Sequence, residues 1–409
     1  MLTIHDYQVP VQAARPDLRN PLCHENKVWR VIPPARLVNG FSQNFSRPND
    51  VTGILDDISM AVGPATAMCV LGSNVIGAAD WEQIPFERQY RAVTEETAAF
   101  VASNMLYLHI SGPGAVAVLD MLTPRNVQKL AQNCAMFVLF TTPLGTVDEE
   151  AVVLRTGPEE FFVSCGGGKA PSGLQEALQA YPQVRAEHSD YVSFNLKGPK
   201  RMTAMQALVQ PEYRQRLASL KPFQAFQART LDGNPTWLLR TVVGVEMWGL
   251  APVIRTVWEK ILNLPDLITP CGWNLLNVYR MECALMVFAV YPLDVHSGTT
   301  LWETGYGWMI DGCKETEFIG QDALSQSRGK ENLWLAGLSA NDTEQDVLPA
   351  GSELLGSNGQ VAGYVSSAAW SIKFKRALAF AHIETNYQPG DVLTFKDGSH
   401  WTVCSLPFS

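Results

Sequence analysis

The spacing of apolar residues changes along the chain, and those changes divide it. Over residues 1–65 proline, asparagine and arginine break up every run, as in "RVIPPARLVNGFSQNFSRPND". An irregular N-terminal arm, helical at most in pieces, is expected there. In "WEQIPFERQYRAVTEETAAFVAS" apolar residues return at helical spacing among acids and arginines, which predicts a helix. A plan then occurs twice. "YLHISGPGAVAVLDMLTP" reads as a strand, a Ser-Gly-Pro-Gly turn and an amphipathic helix, and "YVSFNLKGPKRMTAMQALVQP" repeats that order with Lys-Gly-Pro-Lys as its turn. Further strands follow each copy, "EAVVLRTGPEEFFVSCGG" and "TWLLRTVVGVEMWG". The second set runs into the helix "APVIRTVWEKILNLP", with Val253, Val257 and Ile261 on one face. Towards the C-terminus, short alternating strands are cut by Ser-Asn-Gly and Lys-Asp-Gly turns, the pattern of a small barrel or sandwich. The chain therefore reads as α+β: the arm at 1–65, two related α+β halves at 66–190 and 191–328, and a C-terminal β unit at 329–409.

Composition narrows the classes. At 409 residues, 46% hydrophobic and 17% charged, the chain is globular and long enough for two or three packed units. A net charge of -9 with no basic stripe argues against a nucleic-acid partner. The eight cysteines are scattered, with no CxxC and no zinc spacing, and read as reduced thiols. The N-terminus lacks the apolar core of a signal peptide, and no window holds the ~18 apolar residues of a membrane span. A cytoplasmic monomer or homodimer with no membrane or metal is expected.

One stretch raises a chemical question. "RTVVGVEMWGLAP", Arg240–Pro252, looks like a buried strand, yet Glu246 sits in its middle beside two glycines. Buried acids are rare unless paired. Either Glu246 points outward on the pleat, or it holds a ligand. The glycine run "SCGGGKAPSG" (Ser164–Gly173) lacks phosphate-loop spacing and reads as a flexible turn.

Several segments taken together resemble the T-protein family. They are "GPGAVAVLDMLTPRNV", "GVEMWG", "YRMECALMVFAVYPLDVHSGTTLWETGYGW", "EFIGQDAL", "GYVSSAAWSIKFKRALAFAHI" and the terminal "LPF", in the family's order. This is the aminomethyltransferase of glycine cleavage with its tetrahydrofolate-dependent demethylase relatives. The resemblance leaves out only the N-terminal arm. It implies two related α+β halves of T-protein type plus a small C-terminal β-barrel. "WEQIPFERQYRAVTEETAAFVAS" and "VEMWG" are more similar to the demethylase branch, which moves methyl groups from sulfur or oxygen to N5 of tetrahydrofolate.

The resemblance gives Glu246 a role as holder of the pterin ring. A pterin offers a ring N–H and an exocyclic amine side by side, two donors that one carboxylate accepts together. Trp248 lies on the same strand face and is expected to pack on the cofactor. Tyr279 and Arg280 are carried over as further cofactor contacts, with Arg280 and Glu282 an ion pair bracing the site.

The chain also departs from the family. Counting back from Gly112, the family's catalytic aspartate falls on Val101, and its Gly-Ala-Arg-Asp arginine falls near Asn274. That points away from aminomethyl transfer itself and toward demethylation of a small methyl donor, an aryl methyl ether or a sulfonium. An aryl ether needs a proton donor. The candidates are Tyr107, Tyr279, Tyr291, His109 and His296, with His296 favoured over His109, and Asn104 and Ser103 beside the lost aspartate. Two other readings stay open. One is a T-protein fold put to folate-independent chemistry. The other is a folate-binding accessory protein of iron–sulfur assembly, for which Cys313 and Gly320 of "DGCKETEFIGQDAL" stand too far apart.

Overall fold

The computed structural model describes residues 29–32, 51–71, 74–102, 105–166, 169–286, 294–295 and 298–408. Strand β1 (Trp29–Ile32) and helix α1 (Val51–Val62) precede a hairpin of β2 (Ala65–Leu71) and β3 (Asn74–Trp81). Helix α2 (Phe86–Glu95) leads to β4 (Ala98–Ala102), and β5 (Leu106–Ser111) leads to α3 (Ala115–Leu122). A meander of β6 (Cys134–Thr141), β7 (Val147–Gly157) and β8 (Glu160–Cys165) follows, then α4 (Leu174–Ala180) and β9 (Arg185–His188). The plan recurs with β10 (Tyr191–Lys197), α5 (Arg201–Gln206) and α6 (Arg214–Ala218). A second meander is built from β11 (Ala225–Arg229), β12 (Pro235–Arg240) and β13 (Gly244–Leu250). Helix α7 (Ala251–Leu262), β14 (Thr269–Pro270), α8 (Trp273–Glu282) and α9 (Gln321–Ser327) complete this part. The C-terminal strands are β15 (Leu333–Ala340), β16 (Glu353–Leu355), β17 (Val361–Ser371), β18 (Arg376–Glu384), β19 (Val392–Phe395) and β20 (His400–Cys404).

The two copies of the plan fold alike. One sheet runs β6-β7-β8-β5-β9 and the other β11-β12-β13-β10-β4-β14, so in each the last meander strand pairs with the strand that opened the unit. The pairing crosses the linear division, however: β4 lies before β5 in sequence but pairs with β10 in the second sheet. The C-terminal strands close into a six-stranded barrel, β15-β18-β17-β16-β19-β20, which decides between barrel and sandwich. No helix among the described residues is long and apolar enough to cross a membrane.

Three local expectations need correction. The arm contains a twelve-residue helix, α1, whose Ile54, Leu55 and Ile58 enter the core under the second sheet. The segment read as one helix ends at Glu95, and "AAFVA" becomes β4. Ala98, Ala99, Phe100 and Val101 are all buried, so β4 is covered on both faces; such a run carries no period, and strand pairing overrides helix propensity. On α7 the buried face is Ile254, Val257, Trp258 and Ile261, with Val253 at its margin.

The barrel is tied to the rest through charged groups on α8. Arg280 donates from Nη1 to Asp294 Oδ2 at 2.7 Å and from Nε to Asn277 at 3.0 Å, with its guanidinium over Phe380. The other oxygen of Asp294 accepts from Ser366 at 2.6 Å and Ser367 at 2.7 Å, both on β17. Glu282 accepts from Tyr90 of α2 at 2.9 Å, Ser371 at 2.7 Å and the Lys373 N–H at 3.0 Å. The expected Arg280–Glu282 pair is therefore replaced by two separate anchors. Residues i and i+2 do not face each other on a helix, so each reaches a different neighbour.

Asp294→Ala leaves the Arg280 charge buried without its carboxylate, and a loss of about 3–5 kcal/mol in urea unfolding is expected. Replacing both partners with apolar residues of similar volume should recover most of it; a double variant as unstable as Asp294→Ala would contradict this account.

Candidate functional site

Strand register decides what surrounds Glu246. On β10, Ser193 lies opposite Trp248, Asn195 opposite Glu246, and Lys197 opposite Gly244. On the other side of β13, Leu239 is opposite Glu246 and Trp237 opposite Trp248. Side chains alternate across a strand, so these residues share one face of the second sheet. The other face carries Val192, Phe194, Leu196, Val245 and Met247 into the core beneath α1 and α7. Val101 lies opposite Phe194 and joins that core, so its side chain points away from Glu246.

The Glu246 face meets the first sheet in an aromatic cluster. Tyr107 of β5 and Leu154 of β7 pack with Trp237, Leu239 and Trp248. The Tyr107 ring meets Trp248 edge-on, with centroids 5.2 Å apart. Along β7 the same face continues from Leu154 through Val152 to Glu150, a half-buried carboxylate; burial raises the pKa of Tyr306 and the Glu150 charge adds to it.

Glu246 is half-buried and already held. Asn195 donates its amide to Oε1 at 2.9 Å, and the Trp248 indole N–H donates to Oε2 at 2.8 Å. Each carboxylate oxygen keeps a further lone pair. Burial pushes the Glu246 pKa above the ordinary glutamate value, while the Trp248 bond, the Lys197 charge and the Asn195 bond pull it back. Trp248 is fully buried, so here it aims the carboxylate and walls off the cluster behind it. Gly244 is required by the same packing: a Cβ there would lie 2.3 Å from Asn195 Oδ1.

Lys197 shares this face and is 8% exposed. Its ammonium sits 5.9 Å from the centroid of the Tyr279 ring. Burial lowers its pKa, against the charges of Glu246 and Cys283. Tyr279 and Tyr107 are both pushed well above the ordinary tyrosine value, chiefly by burial. The Tyr107 hydroxyl faces Ser164 and Ser193.

Glu246, Trp248 and Tyr107 thus come together, and Tyr279 joins them through Lys197. Arg280 is turned to Asp294 and the barrel. His296, Asn104, Ser103 and Tyr291 lie outside the described residues. His109 stacks on Phe162 and pairs with Glu160 at 3.1 Å. Asn274 donates to Asp80, which burial pushes up. The glycine run is followed by the short helix α4, and Asp148 ties its end down through Lys169 at 2.9 Å and the Ser172 N–H at 2.6 Å. Cys313 is exposed, while the next residue, Lys314, is paired with Asp120 at 3.1 Å. Reading the sequence passed over Asn195, Lys197 and Glu150. For Asn195 and Lys197 a signal existed, polar residues among the apolar ones of "YVSFNLK", whereas Glu150 stands beside Asp148 and Glu149 and was not singled out by pattern.

The GCVT N-terminal domain family matches residues 67–314. The heme-dependent oxidative N-demethylase gamma subunit of Ectopseudomonas mendocina is 24% identical over 307 residues, 72% of this chain and 79% of that one. The aminomethyltransferase of Symbiobacterium thermophilum is 23% identical over 333 residues, 76% of this chain and 86% of that one. Among solved structures, glycine cleavage system aminomethyltransferase T from Bartonella henselae superposes with a TM-score of 0.76 at 17% identity. That match covers 87% of this chain and 97% of the other, a likeness of fold.

The raised pKa of Glu246 has a sign that can be checked. A carboxyl that holds its proton more tightly when folded stabilises the fold below its unfolded pKa, and that contribution is lost as pH rises through the folded value. Relative to Glu246→Gln, the unliganded protein should therefore lose stability between the unfolded pKa, near 4.5, and the raised folded one. Urea midpoints of both proteins across pH 4–8 read this directly; a difference that does not vary with pH would refute the raised pKa.

Proposed function

The chain belongs to the family of the GCVT N-terminal domain, and from that premise we propose that it is a tetrahydrofolate-dependent transferase. It takes a one-carbon group from a small methylated donor and places it on N5 of the folate. The observation that carries this reading is Glu246, a carboxylate held by Asn195 and Trp248 on an apolar sheet face with lone pairs to spare.

The residues present fit the cofactor. A half-buried carboxylate whose orientation is fixed beforehand loses little freedom when it accepts the two adjacent donors of a pterin edge. Bound there, tetrahydrofolate supplies a nucleophilic ring nitrogen. The chain's own part is positional. Asn195 and Trp248 aim Glu246, and Tyr107 and Trp248 close the space behind it to water. Glu150 brings a second carboxylate to the facing sheet. Alignment of donor carbon and acceptor nitrogen supplies much of the rate in such a displacement.

The tyrosines bear on the donor. An aryl ether requires protonation of its leaving oxygen, and burial makes Tyr107 and Tyr279 weak acids. A sulfonium or a nitrogen-linked one-carbon group is better served by a carboxylate than by a buried phenol. The relatives named as an N-demethylase subunit and as aminomethyltransferases favour the nitrogen-linked class. A folate-independent enzyme lacks a use for the oriented Glu246, and the distance between Cys313 and Gly320 in the sequence speaks against the iron–sulfur accessory reading.

Tetrahydrofolate titrated anaerobically by calorimetry should bind at one site, and Glu246→Ala should weaken it at least about tenfold, ~1.4 kcal/mol. The affinity of the wild type should fall as pH drops through the raised Glu246 pKa, since only the ionised carboxylate accepts both donors. No binding at millimolar folate would overturn the proposal. With binding in hand, sulfoniums, methylamines and methyl ethers are screened for N5-methyl or methylene folate; turnover of the ethers alone would reverse the ranking of donors.

A further inference from the structure

Resting on the folate reading, we propose that Lys197 donates to the 4-oxo group of the pterin, so that Glu246 and Lys197 together read one donor–donor–acceptor edge.

Lys197 is the last residue of β10, just before the Gly198–Pro199 turn, and only 8% exposed. Among the described residues its ammonium has no recorded ion pair or hydrogen bond; its recorded neighbours are the Tyr279 ring and the charges of Glu246 and Arg201. What it touches is the face of Tyr279. Burial opposes its protonated form, the Glu246 charge favours it, and Arg201 opposes it. An ammonium on a largely buried side chain with no acceptor from the fold gains a partner when a ligand brings one.

Position says which acceptor. Asn195 is directly opposite Glu246, and Lys197 is the next residue on the same face of β10. Diagonal neighbours on one face of an antiparallel pair are about 7–8 Å apart, within reach of a long side chain. A lysine ammonium and the glutamate carboxylate can therefore meet the same flat ligand side by side. A pterin presents its exocyclic amine, ring N–H and 4-oxo oxygen in a row. Glu246 matches the first two. The Trp248 N–H and one N–H of the Asn195 amide are engaged with Glu246, and the Lys197 ammonium is the charged donor on this face that can meet the third.

The test compares tetrahydrofolate, with an acceptor at position 4, and its 4-amino analogue, which carries a donor there and lacks the ring N–H that Glu246 accepts, so the diagnostic quantity is how each Lys197 variant changes the ratio of the two affinities. Dissociation constants of both are measured anaerobically for the wild type, Lys197→Met and Lys197→Gln. The wild type should prefer the 4-oxo ligand, and Lys197→Met should lower that preference at least about tenfold by weakening the 4-oxo ligand selectively. Lys197→Gln, which keeps an uncharged donor, should fall between. The unliganded Lys197→Met protein should melt at or above the wild-type temperature, because an unsatisfied buried charge has been removed. A ratio unchanged in both variants, with binding still dependent on Glu246, overturns this inference and leaves the folate reading standing. A large drop in melting temperature overturns it too, since the ammonium would then be serving the fold. Absence of binding of either ligand to the wild type removes the folate reading and this inference with it.

Discussion

Charge inside an apolar interface has to be held by something, and that constraint organises this protein. Two sheets meet through Tyr107, Leu154, Trp237 and Trp248, and a third layer, the barrel, closes against α8. At each junction the chain buries ionisable groups. At the barrel the fold itself supplies partners: Asp294 for Arg280, Ser366 and Ser367 for Asp294, Tyr90 and Ser371 for Glu282. Between the sheets the supply is incomplete. Glu246 is oriented but has acceptor capacity left, and Lys197 has a ring face where it would otherwise have an acceptor.

This difference separates structure from site. A fully satisfied buried network adds rigidity and specificity of assembly, and little is gained by a ligand there. A network short of one partner stores its desolvation cost in the unliganded protein and recovers it on binding. The same physics predicts opposite outcomes for mutations at the two places. Truncating Asp294 harms the fold, whereas removing Lys197 relieves it and harms recognition.

The repeated plan explains how such a site arises from ordinary sheets. In both copies the last meander strand returns to pair with the first, which sets β13 beside β10. Glu246, Asn195 and Lys197 come from strands far apart in sequence, yet one register puts them on one face. A slip of one residue in β13 would turn Glu246 into the core where Met247 now sits, and one in β10 would do the same to Asn195 and Lys197.

Much of this was legible in the sequence because it depends on local order. The duplicated strand–turn–helix plan, the closing β unit and the odd carboxylate in "GVEMWG" are patterns of period and polarity, and all three appear in the structure. Where burial on both faces erased the period, the reading failed: "AAFVA" became a strand, and α1 emerged from a segment judged irregular. Partners could not be read at all. Arg280 and Glu282 look like a pair in the sequence, but helix geometry sends them to different neighbours. The sequence determined which residue types each element must bury. Only the tertiary structure decided that Val101 faces away from Glu246 while Asn195 and Lys197 stand beside it, because strand register, a long-range property, sets which side chains share a face.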